Sequence, residues 1–393
     1  MQPPIGKATF LSQERLGEQI RSAREFARMS QAEVAQSLEV TPAALSQYEA
    51  GKRRIDALLL DRLGRLYGVP LRSFFAEDER YADWEEAVRL RANDLSARGK
   101  AGIASLIETI RDFEELHRRT GTQFPGCPRS PFDPLPEQPF TVDDVATWAE
   151  RARRYYDLGV APLPHLRWFL EAQGYQIFTV SLGGDNDDLA GLFFRHQELG
   201  PIVALNADQA YTRRPYTMAH EFAHGLYHYD RPAILCRSCD QRPLEQFADR
   251  FASFFLVPRE ALSVRLQENG WRTVDSPDQV VHLARYFGVS YQAMRRRLKE
   301  ERRLAPALWD LSVKPVARAK ALGYQPSRFE FGERILPPEE RLPRRFIELA
   351  NRAIQDGELS LRRVAEMLAV SDLELEERLE PLAAEEFTDE ACA

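Results

Sequence analysis

The string MAHEFAHGLYH at Met218–His228 constrains this chain more than any other segment. His220 and His224 are four residues apart, so on a helix they project from one face, one turn apart. Two imidazoles so placed can both reach one Zn2+ ion. Glu221, beside the first of them, cannot easily reach the same ion but can reach a water there, where a general base is needed. Three short β-rich runs precede the string: Tyr175–Val180, Gly191–His196 and Pro201–Asn206, each bounded by Gly, Asp or Asn. A histidine-bearing helix after three strands predicts an α+β domain with a small sheet.

A catalytic zinc site takes three protein ligands and keeps one position open. His228 lies eight residues past His220, about 12 Å along a straight helix, too far to share the ion. It is expected as a packed or capping histidine. Cys236 and Cys239 form a CRSC pair in an expected loop, and two cysteines alone cannot complete a structural site; they are candidates for buried packing, for a redox-labile pair, or for auxiliary metal ligands together with His228. Glu245 sits on LEQFADRFASFFLVP, a strongly amphipathic helix, with Asp249 one turn on along the same face. An acid so placed can hold a ligand imidazole in its tautomer, which makes Glu245 the third ligand of choice and Asp249 its supporting group.

With 393 residues, the chain is long enough for two or three domains. Residues 11–76 are patterned as a compact helical domain, 77–120 as a helical connector, 141–300 as the metal domain, and 301–393 as a helical C-terminal region. Residues 121–140, with prolines at 125, 128, 131, 134, 136 and 139, predict an extended linker. From Val370 to Ala393 nine acidic residues face one arginine, the pattern of a solvated helix end and a frayed terminus. No run of 18 apolar residues and no basic-then-apolar N-terminal segment exists, so neither a membrane span nor a secretory signal is expected. Four cysteines are too few for a disulfide framework, and a reducing cytoplasm suits the chain.

Net charge is −7, which in bulk disfavours nucleic acid. The N-terminal block reverses the sign: Leu11–Phe75 holds ten Lys/Arg against eight Asp/Glu. Ser30 and Glu33 form a capping box, and Thr41 caps a second helix that starts with Pro42 and ends near Gly51. On that second helix Ala43, Ala44, Ser46 and Gln47 offer small or polar side chains away from Leu45 and Tyr48, as a helix entering a major groove requires. Lys52, Arg53 and Arg54 follow, placed to grip flanking phosphates. Similar helix–turn–helix strings begin at Leu283 and Val364; the former is basic through Arg295, Arg296, Arg297 and Lys299, the latter acidic.

SQAEVAQSLEVTPAALSQYEAGKRRI, with the closing LLLDRLGRLYGVPLRSFF, resembles the lambda-repressor-like (XRE-type) helix-turn-helix family. The resemblance implies a double-stranded DNA operator, contacts from Gln31, Thr41 and the residues named above, and a homodimer on a palindrome. Glu39 departs from the family, which often has Gly in that turn. GLFFR, PIVALN, RRPYTMAHEFAHGLYH, EQFADRFASFFLVP and VVHLARYFGVSYQAMRRRL resemble the ImmA/IrrE metallopeptidases over roughly 142–300. That resemblance implies a zincin-like fold, zinc on His220, His224 and Glu245, and Glu221 as catalytic base. The family often has Asn where this chain has Asp249. Residues 340–380 are similar to the helical tail of fusions of the two domains. Such fusions are regulators as a class, and in several of them proteolysis targets a repressor.

The reading is thus a DNA-binding regulator with a zinc peptidase-type domain acting on a repressor-like protein. A non-proteolytic sensor of ligand, metal or redox state, or an antitoxin-like component, is the alternative. Tyr211, Arg213, Arg214, Tyr227 and His228 are the nearby candidates for stabilising an oxyanion, and Gly191–His196 the candidate edge strand for an extended substrate.

Overall fold

A computed structural model of the protein describes residues 13–26, 29–38, 40–67, 74, 84–92, 95–122, 130–136, 138–183, 189–231, 233–237, 242–325 and 336–377. The chain divides into two compact units, Met1–Asp94 with Asp230–Ala233, and Leu95–Tyr229 with Ile234–Ala393. The fold is α+β: an all-helical N-terminal region, one small mixed sheet among helices, and a helical C-terminal region. No helix among the described residues is long and apolar enough to cross a membrane.

The first unit contains α1 (Gln13–Phe26), α2 (Gln31–Leu38), α3 (Pro42–Glu49), α4 (Ala57–Tyr67) and α5 (Trp84–Arg91). The first four close around Ile20, Val34, Leu38, Leu45, Leu60, Leu63, Tyr67 and Phe74. Their starts follow the capping chemistry. Ser30 N donates to Glu33 Oε2 at 2.7 Å while Glu33 N donates to Ser30 Oγ at 3.2 Å. Thr41 Oγ1 accepts from Ala44 N at 3.1 Å, and Gly51 leaves α3 with φ +65°. The turn residue Glu39 lies outside the described residues.

The expected connector helix is broken into α5 and α6 (Ala97–Arg119), the latter restarted by Ser96 as N-cap. α6 belongs to the second unit and packs on β1 (Gln176–Val180) and on α16 (Arg344–Gln355). Between them run α7 (Val142–Tyr155), α8 (Leu166–Ala172), β2 (Leu189–His196), β3 (Gly200–Asn206), α9 (Arg214–Tyr227), β4 (Ala233–Arg237) and α10 (Pro243–Leu256). After these come α11 (Arg259–Glu268), α12 (Pro277–Phe287), α13 (Tyr291–Glu300), α14 (Pro315–Ala321) and α15 (Pro338–Arg341); α17 (Leu361–Leu368) follows α16.

Sheet order is β1-β3-β2-β4, with β1 parallel and β2 antiparallel to β3. β2 is therefore an inner strand, which corrects the expectation that Gly191–His196 offers a free edge: both its hydrogen-bonding sides are taken. The edges are β1 and β4. β4 falls where a loop was expected around Cys236.

α9 lies across β2 and β3, and α10 packs against α9 and α7. Their shared core is aromatic: Phe222, Tyr227, Phe247, Phe251 and Phe255 are all buried, with Phe251 and Phe255 stacked at 5.3 Å. Arg153 of α7 is buried against this core. Its guanidinium donates to Gly159 O at 2.7 Å, Phe255 O at 2.6 Å and Ala161 O at 2.6 Å, which compensates its desolvation.

The proline-rich stretch differs from a free linker at Ser130, Phe132 and Leu135, which tie it to the core. Phe132 is buried and stacks on Tyr227 at 5.1 Å, Ser130 Oγ donates to Leu226 O at 2.6 Å, and Leu135 N donates to Tyr227 O at 2.8 Å. An apolar ring among prolines finds a core when the remaining backbone groups find acceptors.

Candidate metal centre

α9 forms because Pro215 fits its first turn and good helix formers follow, with no glycine before Gly225. Its whole length from Thr217 to Tyr227 is buried, so every polar side chain on it needs a partner. His220 and His224 find theirs on two sides. His220 Nδ1 lies 3.1 Å from Asp249 Oδ1, and His224 Nδ1 lies 2.9 Å from His228 Nδ1. Both rings thereby turn Nε2 toward the same point.

At that point His224 Nε2 is 3.1 Å from His220 Nε2 and 3.5 Å from Glu245 Oε1, and His220 Nε2 is 3.2 Å from Glu245 Oε2. Donors at ordinary zinc bond lengths in a tetrahedron are separated by about 3.3 Å. The two nitrogens and the two oxygens of the Glu245 carboxylate thus stand near the spacing such an ion requires, and two nitrogens and a carboxylate suit zinc chemically. Glu245 comes from the first turn of α10 and is further held by Arg242 Nη2, 3.3 Å from its Oε1.

Cys236 joins this group: one donor atom each from His220, His224, Cys236 and Glu245 lies within 4.8 Å of the others, all four residues buried. Cys239 lies outside the described residues. The Cys236 thiol donates to Glu221 Oε2 at 3.3 Å, while Glu221 Oε1 is buried with no hydrogen-bond partner among the described residues. Gly191 of β2 makes room for that carboxylate, because a Cβ there would strike Glu221 Oε1.

Burial dominates the protonation of the site. It pushes Glu221 up to about 8, although His220 and the Cys236 thiol pull the other way. Burial, reinforced by Glu221 and Glu245, raises the Cys236 thiol well above its usual value. His224 is driven well below its usual value by burial and by the neighbouring His220, His228 and Arg242. Burial opposes charge on His220, but hydrogen bonds from Asp249 and Glu245 outweigh it and hold its pKa high. Partial burial works against charge on Asp249, yet His220 and Arg296 keep its carboxyl below the ordinary range.

A cleft of about 480 Å³ opens onto the group, lined by Thr217, His220, Cys236 and Asp249 and by several cations. Among the latter are Arg213 before α9, Arg237 on β4, and Arg296 and Lys299 on α13. Of the candidates for oxyanion stabilisation, Arg213 alone lines this cleft. Tyr227 instead gives its hydroxyl to Trp148 O at 3.1 Å inside the core, Arg214 stacks on Tyr211 at 4.9 Å, and His228 stands behind His224. Tyr216, unremarked in the sequence, lines the cleft and donates to Asp249 O at 2.6 Å. The basic run of the second helix–turn–helix string splits: Arg296 approaches Asp249 Oδ2 at 3.6 Å, whereas Arg297 is fully buried and donates to Val257 O at 3.0 Å.

In the first unit, Thr41, Ala43, Ser46, Gln47, Lys52, Arg53 and Arg54 are exposed. Ala44 differs from the expectation of an outward position: it is buried, since the face it shares with Leu45 and Tyr48 packs inward. Gln31 donates to Glu49 Oε2 at 2.7 Å, and the same carboxylate pairs with Arg24 at 2.6 Å, which fixes the Gln31 side chain at the start of α2. Arg53 lies 5.2 Å over the Tyr48 ring.

Residues 15–73 match the family described as a helix-turn-helix domain, and residues 170–299 match the IrrE N-terminal-like domain of a peptidase family. No curated protein matches the chain. Among solved structures, ComR from Streptococcus suis is similar at 11% identity over 95% of this chain and 97% of that one. Its TM-score of 0.17 is too low for the likeness to bear on the fold. The chain is a fusion of a helix-turn-helix domain, of the DNA-binding kind, with an IrrE-like peptidase-family domain.

Proposed function

We propose that the chain is a sequence-specific transcriptional regulator whose second unit is a zinc metallopeptidase acting on a regulatory protein such as a repressor. The observation that carries the enzymatic part is Glu221: a buried carboxylate beside three converging donors, with one oxygen unpartnered. His220, His224 and Glu245 would hold a zinc ion, which when bound would serve as a Lewis acid toward a water and a peptide carbonyl. Glu221 takes the proton of the attacking water and returns it to the leaving amine. Asp249 and His228 hold the two imidazoles through Nδ1, which leaves both Nε2 atoms turned toward Glu245. Arg213, on the cleft wall, offers the positive charge that a tetrahedral oxyanion needs.

On the DNA side, the exposed residues of α3 read base edges and Lys52–Arg54 contact phosphates, one unit per half-site in a cytoplasmic homodimer. A second reading, a sensor that cleaves nothing, draws on one observation: the thiol of Cys236 lies within 4.8 Å of the donor atoms of His220, His224 and Glu245. The deciding experiment compares new protein N-termini in cells expressing wild type and Glu221→Gln at equal zinc content. Termini that require Glu221 support proteolysis; identical sets in both strains overturn it and leave the sensor.

A further inference from the structure

The mechanism above uses two histidines and a glutamate, and leaves one donor of the cluster unexplained. Cys236 is fully buried on the edge strand β4, in a group whose four donor atoms lie within 4.8 Å of one another. Its thiol is not spent on packing alone, because it donates to Glu221 Oε2 at 3.3 Å. Glu221 Oε1 beside it is buried and unpartnered among the described residues, a second sign that this corner is built around something else.

We propose that Cys236 is a fourth donor of the metal centre, so that the loaded site has a closed form with four protein ligands and an open form with three. The inference rests on the metal-binding part of the functional reading and not on proteolysis. Zinc favours four ligands, and a thiolate is a better ligand for it than water. In closing, the S–H bond of Cys236 would break, a sulfur–zinc bond would form, and the water of the open form would leave the ion. The proton passes to the acceptor already hydrogen-bonded to the thiol, Glu221 Oε2. One movement therefore fills the position that a water needs. In opening, the same proton returns to sulfur and Glu221 regains its charge. Chain geometry makes this economical, since Cys236 and His220 both line the same cleft.

The test is cobalt substitution of the full-length protein, read by absorption. Wild type is expected to bind one Co2+ per chain with a near-ultraviolet thiolate-to-cobalt charge-transfer band. Cys236→Ala should still bind Co2+, without that band and with affinity lowered about tenfold, while Cys239→Ser keeps the band. X-ray absorption on the zinc-loaded wild type should show one sulfur scatterer at about 2.3 Å, a measurement that needs no variant to fold. Cobalt bound by wild type with no sulfur signature in either spectrum overturns the proposal while the three-ligand centre stands. A band that persists in Cys236→Ala overturns it as well. Failure of wild type to bind any metal removes the centre itself, and the proposal with it.

Discussion

Asp249 Oδ1 lies 3.1 Å from Nδ1 of His220, one turn of α10 beyond Glu245, so a single helix supplies a donor and the group that orients another. Outer partners of this kind are worth about 10–100-fold in metal affinity. Asp249→Ala is expected to weaken zinc binding by that factor, measured by competition with a chromophoric chelator. Asp249→Asn, which can still accept a hydrogen bond from His220, should lose much less. Equal affinity in all three proteins would mean that Asp249 serves only its contacts with Tyr216 and Arg296.

The metal-free protein should lose stability as pH rises through the range in which Glu221 ionises. Burial raises its pKa in the folded state to about 8, from an ordinary 4.5. The stabilising contribution of the protonated form is complete below about 4.5 and gone above about 8. At about 1.4 kcal/mol per pH unit, the swing is on the order of several kcal/mol. Urea midpoints at pH 5 and pH 8 should therefore diverge in the metal-free wild type. In Glu221→Gln, which carries no titrating group there, the divergence should shrink. A pH dependence unchanged by the substitution would place its origin in other groups.

Gly191 should tolerate no side chain if the Glu221 carboxylate is to keep its place. Gly191→Ala puts a methyl group against Glu221 Oε1, Thr217 Cγ2 and the backbone oxygen of Ala204. We expect zinc stoichiometry to stay near one and cleavage to fall by at least tenfold, with a destabilisation of about 1–3 kcal/mol from overpacking. Full activity in this variant would show that the base sits elsewhere in the working protein.

DNA binding should separate into two effects within the first unit. Arg53→Ala is expected to weaken binding to all duplexes and to reduce the salt dependence by about one ion per half-site. Gln47→Ala should cost about 1–3 kcal/mol at one base pair and relax the preference there. Selection from a random duplex pool, followed by titration at several salt concentrations, distinguishes them. Loss of neither effect would move DNA recognition away from α3.

Much of this protein is legible in its sequence where the signal is local. The capping box of Ser30 and Glu33, the Thr41 cap and the Gly51 terminator are chemistry within a few residues, and all form. Glu245 and Asp249 were readable together because an amphipathic helix puts residues four apart on one face. The misreadings concern pairing at a distance. AILCR is a five-residue strand whose partners are set by sheet order, so its Cys236 could not be placed beside Glu221 from spacing. Sheet order likewise decided that β2 is an inner strand. Ala44 was ambiguous because a small apolar side chain suits a groove-facing surface and a tight core equally well.

The aromatic seam between α9 and α10 has a consequence for how metal and fold are coupled. Phe222, Phe247, Phe251 and Phe255 bury apolar surface between the two helices that carry His220, His224 and Glu245. In small zinc modules the ion's binding energy is spent on assembling the chain. Here apolar burial also ties the two donor-bearing helices together, so less of a bound ion's energy would go into assembling them. If the centre holds zinc, as proposed, the ion is expected to leave and return without unfolding the chain, and occupancy would then follow its supply.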